Sequence, residues 1–120
     1  MSYGFAPLAV ALLAGAGVVA CDNTRKQECD KFLAVVKPLD EGTPTLETVQ
    51  RVQKDLAATP FKDTPLDVYA KNYAAKLTVL SNTLALKAGP EPPDGTDAVI
   101  KLNLKNARTD REDVQRYCSQ

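Results

Sequence analysis

Beyond residue 23, proline and glycine cut the chain into four stretches, and in each the apolar residues recur at the spacing of a helix rather than a strand. In the first, Thr24–Lys37, one stripe runs through Cys29, Phe32, Leu33 and Val36. Thr24 and Gln27 make a capping-box pair, and Pro38 ends the run because its ring cannot extend the hydrogen-bond ladder. The second begins at Thr43, with Pro44 suited to the first helical position, and continues to Ala58. Leu46, Val49, Val52 and Leu56 share one side of it, while Glu47, Arg51 and Asp55 form a four-spaced ladder of alternating charge on another.

The third stretch, Pro65–Ala88, is the longest. Thr64 as cap, Pro65 and the acidic Asp67 mark its start, Gly89 and Pro90 its stop. Leu66, Tyr69, Ala70, Tyr73, Leu77, Leu80 and Leu84 supply its stripe. A polar, proline-rich connector, Gly89–Gly95, leads to the last stretch, Asp97–Tyr117. There Ile100, Leu102 and Leu104 alternate with polar residues as in a strand, yet a lone strand would leave its backbone groups unpaired. The helical reading through Ile100, Leu104, Ala107, Val114 and Cys118 is therefore preferred, with a break near Arg108 suggested by the capping pair Thr109 and Glu112.

Four helices with short connections imply an all-α fold, a four-helix up-and-down antiparallel bundle. The first and fourth helices then lie side by side, which brings Cys29 and Cys118 to the same end. Phe61, in the turn between the second and third helices, is placed to pack under the bundle.

Ahead of the bundle, Leu8–Ala20 is apolar, uncharged and rich in Ala and Gly, and it ends at Val18-Val19-Ala20-Cys21. It is too short to span a bilayer core of about 30 Å. This junction resembles a bacterial lipobox, in which a small residue precedes a cysteine that is diacylated on sulfur and becomes the new N-terminus. The resemblance covers Met1–Cys21 and implies a signal peptide over 1–20 and a mature domain over 21–120. The same resemblance implies that this domain is anchored through lipid on Cys21 and faces the periplasm or exterior of a bacterial envelope. It departs from the usual signal in carrying no Lys or Arg within Met1–Leu8. Ordinary secretion with cleavage after Ala16 or Ala20, or an uncleaved anchor, are the alternative readings.

The chain has three cysteines. Acylation of Cys21 leaves the even pair Cys29 and Cys118, and an oxidising compartment favours a disulfide tying the two ends of the domain. Without a CxxC spacing, a structural bridge is expected rather than a redox pair.

Fifteen basic and fifteen acidic residues balance, so no broad field attracts nucleic acid. Histidine is absent, which removes the commonest general base and metal ligand. No nucleophile elbow, P-loop, zinc spacing, dinucleotide fingerprint or haem-attachment motif is present. No catalytic residue, metal or cofactor is predicted. Asp40 with Glu41, and Asp110 with Glu112 and Asp113, read as solvated charge. Lys101, Lys105 and Arg108 fall on one face of the fourth segment and form the candidate contact for anionic headgroups or an acidic envelope partner. The functional expectation is a non-enzymatic binding or structural module on a membrane surface. The alternative is a carrier of a small apolar ligand in a cavity lined by Phe32, Tyr69, Tyr73, Leu77 and Leu80.

Overall fold

The computed structural model describes residues 24–120; the signal-peptide segment 1–20 and the lipidation candidate Cys21 lie outside the described residues. Helix α1 covers 24–36 and runs directly into a 3-10 turn, Lys37–Leu39, that accommodates Pro38 in its first positions. α2 is Leu46–Ala57, α3 Thr64–Lys87 and α4 Thr96–Cys118. Among the described residues there is no strand.

The helix starts differ in detail from those expected. α2 is capped by Thr45, whose hydroxyl accepts from the Thr48 amide at 3.2 Å, so Pro44 stands buried before the cap instead of at the first helical position. α3 is capped by Asp63, which accepts from the Leu66 amide at 3.2 Å, and Thr64 and Pro65 take the first two helical positions. A carboxylate answers both the orphan amides and the positive end of the helix dipole, which a hydroxyl one residue later cannot do as well. α4 starts after Gly95, whose φ of 84° lies in the left-handed region that favours glycine. It does not break at Arg108. Thr109 keeps helical geometry and returns its hydroxyl to the Lys105 carbonyl at 3.0 Å, so Ala107 and Val114 both stay in the core.

α3 and α4 pack antiparallel in a register set by four contacts along their length. Lys87 meets Asp97 at 2.8 Å, the Asn103 amide donates to the Thr83 hydroxyl at 3.0 Å, Lys76 meets Asp110 at 2.7 Å, and the Tyr69 and Tyr117 rings lie 5.6 Å apart. α1 runs alongside α3 in the same direction, with Phe32 edge-on to Tyr73 at 5.5 Å, and against α4 in the opposite direction. α2 returns along α3 with Gln53 and Leu56 beside Ala70 and Ala74. The result is the expected up-and-down bundle.

Phe32, Val36, Leu39, Val49, Val52, Leu66, Tyr73, Leu77, Leu80 and Val114 form a continuous core with almost no exposure. Each contributes about 1.5–3 kcal/mol of apolar burial. Phe61 closes the lower end of that core, edge-on to Phe32 at 6.1 Å. At the other end, α1 and its turn stop level with Arg108, so the last turns of α3 and the first turns of α4 extend beyond them as a two-helix projection.

Candidate functional site

The end of the bundle where α1 begins is built around the Cys29–Cys118 disulfide, with Cα atoms 6.0 Å apart. Next to it Glu28 is buried, and its carboxylate accepts from the backbone amides of Lys62 and Asp63, each at 2.9 Å. Asp63 in turn accepts from the Tyr117 hydroxyl at 2.6 Å. Arg25 lies over the Tyr117 ring at 4.5 Å and donates to the Tyr117 carbonyl at 2.6 Å. The hydrogen bond to the Asp63 carboxylate, and then burial, raise Tyr117 above the ordinary phenol range, since ionisation would set two anions against each other. One polar network thus joins α1, the α2–α3 turn, the start of α3 and the end of α4.

Glu28, Asp63 and Arg25 stand in no motif that marks them in the sequence. A signal for Glu28 exists: it sits four residues before Phe32 on the stripe that continues to Val36, where a carboxylate must be buried and therefore paired.

The basic face of α4 lines an open groove of about 590 Å³ with Gly42, Thr43, Leu104, Thr109 and Glu112. The structure brings Lys101, Lys105 and Arg108 together there, but in different roles. Lys101 and Lys105 are exposed. Arg108 is half-buried and ties down the α1–α2 loop, donating from Nε to the Leu39 carbonyl at 3.1 Å and from Nη2 to the Gly42 carbonyl at 2.6 Å. Gly42 permits this approach through a φ of 68°. One turn on, Arg111 pairs with Asp40 at 2.7 Å, both largely withdrawn from solvent. Asp40 and Asp110 are therefore parts of ion pairs rather than solvated charges, Asp110 holding Lys76. The groove offers an anionic partner two ammonium groups, with Glu112 as a local opponent.

Tyr73 lies beneath these charges. Burial first, and the nearby Asp40 second, push its hydroxyl far above its usual pKa, against the smaller opposing pull of Arg111 and Arg108, so it stays protonated. Of the residues expected to line a carrier cavity, Phe32, Tyr73, Leu77 and Leu80 are packed in the core, and Tyr69 is half-buried at its edge. Among the described residues no three His, Cys, Asp or Glu side chains converge as metal ligands, and no helix is long and apolar enough to cross a membrane.

Comparison with protein-family models, with curated proteins and with solved structures returned no match for this chain.

Proposed function

We propose that the chain is a lipid-anchored protein of the bacterial cell envelope, tethered through Cys21, whose helical domain is a non-enzymatic binding module at the membrane surface. The observation that carries this reading is the junction of the apolar run with Cys21, three residues in sequence before a helix whose start lies at the end of the bundle that holds the Cys29–Cys118 bridge. A disulfide of this kind suits a compartment outside the inner membrane. The packed core around Tyr73 favours action through a surface over storage of a ligand.

With the disulfide end at the bilayer, Lys105 and Lys101 stand roughly 20–25 Å up α4, at 1.5 Å rise per residue. That exceeds the Debye length of about 8 Å in physiological salt, so the groove addresses an acidic envelope partner rather than lipid headgroups.

The test has two arms. Intact mass of chain extracted from bacterial membranes should show loss of residues 1–20 and gain of acyl chains, and Cys21→Ser should abolish both. Crosslinking in intact envelopes should then give a partner adduct that Lys101→Glu/Lys105→Glu diminishes with unchanged melting. An unmodified Met1 terminus refutes the anchor, and an adduct indifferent to charge reversal refutes the groove.

A further inference from the structure

α3 lacks the charged outer face that the other helices carry. The exposed residues of α2 are mostly charged or amide-bearing: Glu47, Gln50, Arg51, Lys54 and Asp55, with Ala57. On α3, by contrast, no exposed residue between Asn72 and Leu86 is charged. The charges that α3 does carry are engaged within the chain, Lys71 with Asp67, Lys76 with Asp110 and Lys87 with Asp97. In place of charge, this helix presents large apolar residues to solvent: Val68, Val79 and Leu86 are each about half exposed, at 52%, 51% and 55%.

The exposed stripe has an order of its own. Val68, Asn72, Ala75, Val79, Asn82 and Leu86 follow one another at steps of four, three, four, three and four, the heptad spacing of a coiled-coil seam. Laid against a second α3 in parallel register, every layer pairs like with like: valine, alanine and leucine layers are apolar throughout. The amides of Asn72 and Asn82, each donor and acceptor, meet their own copies. Because α3 and α4 run antiparallel in the register given above, Val99 and Leu102 of α4, 45% and 55% exposed, stand level with the Leu86 end of the seam.

We propose that this face pairs with a second copy of the chain through α3 seams lying parallel. The seam positions themselves carry no charge, so they offer an acidic or basic partner no counter-charge, and the layer pattern is its own complement. The seam is ~27 Å long at 1.5 Å per residue, and one helix gives it a width of about 10 Å. Roughly 270 Å² in plan, before side-chain relief is added, is well below the ~800 Å² per partner of a standard interface, which suits a weak and reversible dimer. Tethering both copies by the same end would raise their effective concentration and align the seams. The parallel polarity rests on the anchor proposed above; the pairing does not.

The test uses the full chain in a Cys21→Ser background, which removes the third thiol and any lipid on it, so anchor and seam stand or fall separately. Sedimentation equilibrium should show a reversible dimer at about 50 µM, and Val79→Lys/Leu86→Lys should weaken it about a hundredfold or more, with the helical signal unchanged. Leu86→Cys should crosslink to its own copy through a short bismaleimide, since parallel seams bring those positions together and reversed ones set them at opposite ends. A chain monomeric to about 1 mM, or a dimer insensitive to the two lysines, overturns the pairing. A dimer in which Leu86→Cys does not crosslink overturns the parallel polarity.

Discussion

Reducing the Cys29–Cys118 bridge is expected to lower stability by about 4.6 kcal/mol at 25 °C. The bridge joins residues 89 apart in sequence, and the loop-closure entropy it removes from the unfolded chain is about 2.1 + 1.5R ln n, or roughly 15 cal/mol/K. A domain of this size is stable by about 5–15 kcal/mol in total, so the bridge accounts for a third or more of the margin. At roughly 4–8 °C of Tm per kcal/mol, complete reduction should lower melting by about 20–35 °C. The assay is circular dichroism melting with and without reductant at constant pH, with a free-thiol titration to show that reduction is complete. Cys29→Ala/Cys118→Ala supplies the reagent-free version and should lose slightly more, because Cys29 is buried and its sulfur leaves a small void. A fall of less than about 5 °C after full reduction would refute the loop-entropy reasoning and point to an unfolded chain already compact around this end.

Glu28→Ala should cost about 2–4 kcal/mol in urea unfolding by stranding the Lys62 and Asp63 amides, and Glu28→Gln, which keeps one acceptor, should cost less; equal losses would contradict the capping role. Arg108→Ala should cost about 1–2 kcal/mol and speed hydrogen exchange of the loop amides between Asp40 and Thr45; unchanged exchange would show that the loop does not depend on this side chain. Tyr73 and Tyr117 are both harder to ionise in the fold than in the unfolded chain, so stability should be whole below about pH 10 and fall as pH rises through their raised values. Tyr73→Phe and Tyr117→Phe should each blunt that alkaline fall in Tm, and an identical profile in both variants would count against it.

The four helices, their antiparallel order and the disulfide were legible in the sequence because each follows from local periodicity, proline and glycine punctuation or the pairing of two cysteines. Exact helix starts were less so. Thr43, Thr45, Asp63 and Thr64 are all competent caps, and which one serves depends on where the packed helix must begin, as the cap positions of α2 and α3 show. The candidate site divides in the same way. That Lys101, Lys105 and Arg108 share a face is a property of helical spacing alone. That Arg108 is spent on the Leu39 and Gly42 carbonyls, Glu28 on the amides of another turn, and that α3 is left with an uncharged outer seam, was decided only by the tertiary structure. Spacing along a chain says which side chains point together, whereas which of those faces meets a neighbour, and which backbone groups arrive unpaired beside it, depends on contacts between residues more than thirty positions apart.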